Sequence, residues 1–99
     1  MPIIYHITTV PEWNDAKQTG QYISPSLANE GFIHCSEAGQ VPATLSRFFK
    51  DKTGLVKLSV DTEKLKSPMY YEWSPSVADT FPHIYGPINL DAVNEVVTV

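Results

Sequence analysis

The chain has 99 residues, a net charge of −4 and 42% hydrophobic residues. That length holds one domain, 1–99, with no room for a second core, and the apolar content excludes a disordered chain. The negative balance argues against an extended nucleic-acid surface, which needs a basic field, but local donors can still hold a small nucleotide-like ligand.

The single cysteine excludes an internal disulfide framework and fits a reducing compartment. No apolar run approaches the ~20 residues of a membrane span, and no basic-then-apolar leader opens the chain. The expectation is a cytoplasmic monomer that does not engage a membrane.

Ile3 to Thr8 reads as a strand internal to a sheet, with Ile4, His6 and Thr8 on one face. Thr9-Val10-Pro11-Glu12 has the form of a capping box, and Val10, Trp13 and Ala16 follow at helical spacing up to Gly20. The first helix is therefore predicted over about 10–18. Gln21 to Gly31 reads as a connection: Tyr22 and Ile23 are briefly extended, and Ser24-Pro25-Ser26 is turn chemistry.

Gly31-Phe32-Ile33-His34-Cys35-Ser36 reads as the central strand, with Phe32, His34 and Ser36 on one face and Ile33 and Cys35 on the other. A second helix opens near Glu37, presents Val41, Leu45, Phe48 and Phe49 as a core stripe, and is predicted to end at Gly54. Leu55 to Val60 alternates as a half-buried strand, followed by one helical turn capped by Asp61. Met69 to Trp73 is strand-prone, Ser74 to Pro82 a long loop, and His83 to Ile88 a further strand. Asn89 caps a short turn before the closing strand Glu95 to Val99, whose β-branched run suits the inside of a sheet. The pattern gives an α+β domain of about six mostly antiparallel strands and two helices.

The three histidines fall in three different apolar runs, which suggests one shared polar site. For any one histidine a hydrogen-bonded core side chain is the commoner fate. Together, His6 and Thr8, His34 and Ser36, with His83 and Glu72 from elsewhere, suit a site. Neutral imidazole both donates and accepts, which fits a ribose hydroxyl or a phosphate. A carboxylate can stabilise a developing oxocarbenium ion or orient a hydroxyl nucleophile. Paired metal-ligand spacings are absent, so no metal site is expected. Strand alternation turns Cys35 away from His34, which makes it a small buried apolar group rather than a nucleophile.

Tyr5-His6-Ile7-Thr8, Trp13, Gly31-Phe32-Ile33-His34-Cys35-Ser36 and Phe81-Pro82-His83-Ile84-Tyr85-Gly86-Pro87-Ile88 resemble the small bacterial family called domain of unknown function 952, over residues 3–97. The resemblance implies an ADP-ribosylation-like fold, two small antiparallel sheets packed around an NAD-binding cleft. In the ADP-ribosyltransferase-like superfamily the first core strand carries a histidine before a small or hydroxyl residue, and His6-Ile7-Thr8 is similar. His34-Cys35-Ser36 resembles the variant in RNA 2'-phosphotransferases. The third position is often a glutamate, for which His83 and Glu72 are rival candidates.

Two classes of function stay open. In an NAD-using transferase, the resemblance implies His6, His34, His83 and Glu72 as catalytic residues and His6, Thr8, Ser36 and Tyr85 around the cofactor. There His6 would hold the nicotinamide ribose, and Tyr70, Tyr71 or Tyr85 would stack a flat base. The departure from a His-Tyr-Glu pattern argues against protein mono-ADP-ribosylation. In the alternative, the cleft serves only to bind a nucleotide-like ligand or a partner.

Overall fold

The computed structural model describes residues 3–99. β1 (Ile3–Thr9) runs into α1 (Val10–Thr19), whose cap Thr9 accepts the Glu12 amide at 3.2 Å and whose end is closed by left-handed Gly20. Then come β2 (Gln21–Tyr22), α2 (Pro25–Glu30), β3 (Ile33–His34) and a 3₁₀ turn (Ala38–Gln40) leading into α3 (Val41–Phe48). β4 (Leu55–Asp61), β5 (Met69–Ser74), β6 (Asp79–Ile84), β7 (Ile88–Asn89), a 3₁₀ turn (Leu90–Ala92) and β8 (Val93–Thr98) complete the chain.

The strands form three antiparallel sheets: β1-β4-β8, β2-β7 and β3-β6-β5. Among the described residues one isolated bridge, Tyr5 to Ser36, links the first sheet to the segment after β3. The α+β class stands, with more strands, sheets and helices than the pattern suggested.

β4 is buried on both sides rather than on alternate residues. Val56, Leu58 and Val60 join the main core with Ile4 and Tyr22, while Leu55 and Ile7 pack against Val41, Leu45 and Phe49 of the α3 region. It is β4, not β1 or β8, that occupies the centre of its sheet, because it is flanked on both edges.

Four local expectations are corrected. Ser24-Pro25 opens α2 instead of a turn: Ser24 accepts the Ser26 amide and proline fills the first helical position. Only Leu27 of that helix packs on the core, so no apolar stripe announces it. α3 stops at Phe48, well before Gly54, and Phe48 is 57% exposed while Phe49 packs inward. The Asp61 segment is a turn in which its carboxylate accepts the Glu63 amide at 2.9 Å.

Fourth, the predicted loop 74–82 is a hairpin, with β5 and β6 paired from Met69↔Ile84 to Ser74↔Asp79. Pro82 sits inside β6, and its carbonyl accepts the Cys35 amide at 3.1 Å. It has no N–H to return to Cys35, so the β3 ladder stops after two residues.

Candidate functional site

Cross-strand partners share a sheet face. His34 pairs with His83 and His83 with Tyr70, so all three lie on one face of β3-β6-β5, and Glu72 and Phe81 continue it two positions along. Ile33, Ile84 and Met69 occupy the opposite face and join the core. This alternation lets a rigid apolar layer hold an aromatic and titratable face in place.

That face borders a cleft of about 780 Å³ whose wall includes His6, Thr8, His34, Ser36 and His83. Sequence reasoning placed these five together as a candidate site, and the fold brings them to one cavity. Glu72 and Tyr85 are not in its wall; they stand behind His83. Glu72 Oε1 lies 2.8 Å from His83 Nδ1 and also accepts the Tyr85 hydroxyl. His83 and Glu72, expected as rivals for one role, are hydrogen-bonded to each other. The Tyr85 hydroxyl first and His83 second hold the Glu72 carboxyl below its ordinary range, and Glu72 pushes the Tyr85 phenol up. Phe32 stacks on His83 with centroids 4.1 Å apart, which fixes the ring plane.

His34 is exposed, pairs with Glu30 at 2.9 Å and meets His83 edge to face at 5.4 Å. Ser36 is buried and bonds Thr44 at 3.1 Å.

His6 is buried beside the core. Its Nδ1 donates to the His34 carbonyl at 2.6 Å and its Nε2 lies 2.8 Å from the Tyr22 hydroxyl. Burial lowers its pKa from 6.5 to about 4, against smaller upward pulls from the His34 carbonyl and Glu12. Both nitrogens already have protein partners, so a ribose would reach His6 only by displacing one of them. Beyond Tyr22 the polar chain continues to Thr8 at 3.0 Å and from Thr8 to Glu12 at 2.7 Å. Glu12, expected to cap the Thr9 amide, instead accepts the hydroxyls of Thr8 and Thr9. The sequence does not mark Tyr22 and Glu12 as site residues, because they lie 16 and 6 positions from His6 on other elements and no spacing rule connects them.

One stretch of main chain also faces the cleft. The amide and carbonyl of Tyr5 both bond Ser36, at 2.8 and 2.7 Å, so Tyr5 points away from β4. Period-two alternation sends the N–H and C=O of Ile7 the same way, past the end of that bridge, and Ile7 lines the cleft. Among the described residues no Lys or Arg lines it, whereas Glu12 and Glu30 do, and the exposed rings of Trp73 and Phe48 stand in the wall. Cys35 is buried in the core, and burial pushes its thiol up. Among the described residues no three His, Cys, Asp or Glu side chains gather to hold a metal, and no helix is long and apolar enough to cross a membrane.

The sequence matches the family described as Protein of unknown function (DUF952) over residues 7–96. The chain belongs to this family. It is also similar to protein CC0527 from Caulobacter crescentus, at 32% identity to the crystal structure, with a TM-score of 0.88 over 98% of this chain and 85% of that one. The solution NMR structure of CC0527 gives a TM-score of 0.84 over 100% of this chain and 85% of that one, again at 32% identity. This domain of the DUF952 family thus shares its whole architecture with an experimentally determined relative. No curated protein matches the sequence.

Proposed function

We propose that the cleft is the active site of a transferase that takes a ribosyl group from NAD or a related nucleotide. The observation that carries this reading is the main-chain edge of Ile7, which turns away from β4 toward the cleft and has no partner among the described residues. It offers an N–H and a C=O side by side, and a carboxamide such as that of nicotinamide presents the complementary acceptor and donor. Trp73 and Phe48 supply flat faces for an aromatic ring, and Glu12 and Glu30 suit the positive charge of a pyridinium. Phosphates would be met by hydroxyls and main-chain amides rather than cations. The likeness of His6-Ile7-Thr8 and His34-Cys35-Ser36 to the ADP-ribosyltransferase superfamily supports the same assignment.

NAD supplies a ribosyl carbon whose bond to nicotinamide is weak because nicotinamide leaves as a neutral base. His83 is the general base in this reading. With Nδ1–H donated to Glu72, its Nε2 lone pair has no hydrogen-bond partner among the described residues and takes the proton of an acceptor as the new bond forms. Glu72 orients the ring and stabilises the imidazolium, and Tyr85 holds Glu72.

One observation favours a second reading, a non-catalytic module for a nucleotide or partner: His6 and His34 are already tied to Tyr22 and Glu30. Calorimetry with NAD, ADP-ribose and nicotinamide, paired with an assay for nicotinamide release, separates the two. Binding with release supports the transferase and binding without release supports the module. Failure to bind any of the three at millimolar concentration overturns the transferase and leaves of the second reading only a module for a partner.

A further inference from the structure

The hydrogen-bond chain behind the cleft does not balance for protons. His6 Nδ1 must carry a hydrogen, because its partner 2.6 Å away is a carbonyl. Three contacts then remain in line: His6 Nε2 to Tyr22 at 2.8 Å, Tyr22 to Thr8 at 3.0 Å, and Thr8 to Glu12 at 2.7 Å. Each needs one proton between its two atoms. With His6 neutral and Glu12 a carboxylate, only the Tyr22 and Thr8 hydroxyls supply one, so one contact would hold two lone pairs face to face. Tyr22 and Thr8 are almost fully buried, so an unpaired contact between them is costly.

We propose that His6, Tyr22, Thr8 and Glu12 form a proton relay that carries one extra proton and delivers it to either end. This goes beyond the assignment of a substrate, since it concerns the resting protein and holds whether or not the cleft turns anything over. In one form Glu12 is a carboxylic acid that donates to Thr8, Thr8 donates to Tyr22, and Tyr22 donates to His6 Nε2. In the other His6 is an imidazolium that donates to Tyr22, Tyr22 donates to Thr8, and Thr8 donates to the Glu12 carboxylate. Moving between them breaks the Glu12, Thr8 and Tyr22 O–H bonds. It forms new O–H bonds on Thr8 and Tyr22 and an N–H bond on His6. No electrons are gained or lost, and every contact is satisfied in both forms.

The titratable groups around the relay are Glu12 on α1, Tyr22 on β2, His34 on β3 and Cys35 just beyond it. Burial disfavours the imidazolium end of the relay. A ligand that drew Glu12 into an ionic contact would push the proton to His6. Glu12 is therefore a proton-carrying residue of the cleft, and Tyr22 and Thr8 are positioning residues that conduct between its ends.

The test is a pH titration by NMR that follows the His6 ring nitrogens and the Glu12 carboxyl carbon in the intact, isotope-labelled chain. The relay predicts that both probes move together at a common midpoint. Thr8→Ser keeps the hydroxyl and the common midpoint; Thr8→Val, of nearly the same volume, splits it into two. Glu12→Gln brings its own N–H, so the chain balances with a neutral His6, and the His6 midpoint shifts to lower pH. Separate midpoints in the unaltered protein, or a His6 titration that Glu12→Gln leaves in place, would overturn the relay. If Thr8→Val does not fold, the unaltered chain, Thr8→Ser and Glu12→Gln still decide the question.

Discussion

Glu72 holds the Nδ1 of His83 from a diagonal position on the β5–β6 ladder. His83 faces Tyr70 directly and Glu72 sits two residues further along β5, on the same face, at 2.8 Å. A diagonal pair in a twisted antiparallel ladder suits a long carboxylate reaching a ring, and in the proposed reaction the two would serve as a base and its orienting group. His83→Ala is expected to lower turnover by about 10²–10⁴-fold while ligand affinity stays near that of the unaltered protein. Glu72→Gln keeps a hydrogen-bond partner but removes the charge, and should cost less. Parallel kcat and Kd measurements check the split; an equal loss in both would place His83 in binding instead.

His6 sets an acid limit on stability. Its folded pKa of about 4 lies below the unfolded value of 6.5. The unfolded chain therefore binds the proton more readily between those values. The contribution is complete above pH 6.5 and is lost as pH falls to 4, to a total of roughly 3 kcal/mol. His6→Gln, which cannot take up a proton, should lose less stability than the unaltered protein across that window. Urea midpoints at pH 7, 5.5 and 4 test this, and parallel curves for the two proteins would refute it.

Period-two alternation made much of the site legible. His34 and Ser36 fell on one side of their strand, Ile33 and Cys35 on the other, and the core took the second pair. What the sequence concealed were contacts that depend on topology. The β5–β6 hairpin was hidden because Phe81-Pro82 reads as loop, yet Pro82 adopts strand geometry and its missing N–H is what ends the β3 ladder. Tyr22 looked like part of a connection because its burial depends on β7, 66 residues further on at Ile88. The pairing of His83 with Glu72 required that hairpin register, so composition alone presented them as competitors.

Cys35 should resist chemistry in the folded state. Its thiol is buried in the main core and burial pushes its pKa up, so little thiolate is exposed to a reagent. Labelling by a disulfide reagent should be slow natively and complete within seconds in denaturant. Cys35→Ala should fold at a cost of about 1 kcal/mol and bind ligands unchanged. Fast native labelling would contradict the register of β3.

Gly86 is expected to be intolerant of any side chain. A Cβ there would lie 2.5 Å from Ser67 Oγ and 2.9 Å from Ser67 Cβ. Ser67 cannot swing freely, since its hydroxyl donates to the Pro87 carbonyl at 2.6 Å. Gly86→Ala should destabilise by about 1–3 kcal/mol, and Ser67→Gly in the same chain should recover part of that. Thermal melts of the single and double variants decide it; an unchanged Tm for Gly86→Ala would mean the segment shifts at no cost. Because Tyr85 precedes this turn, the single variant should also disturb the phenol that holds Glu72.

Among the described residues, Tyr5 and Ser36 form the main-chain link between the sheet of β1 and the sheet of β3, by two hydrogen bonds. Spreading the sheets apart would rupture that pair, the His6–His34 hydrogen bond and the apolar contacts of the shared core while leaving both ladders whole, whereas shearing either sheet would break many ladder bonds at once. The two sheets are therefore plates joined by few main-chain bonds across a common core. The Tyr5 and Ser36 amides should exchange with deuterium at the rate at which the plates part, while the amides of β4 wait for global unfolding. A bound ligand spanning both plates would slow the first rate selectively, so this one pair of amides reports how often the cleft breathes.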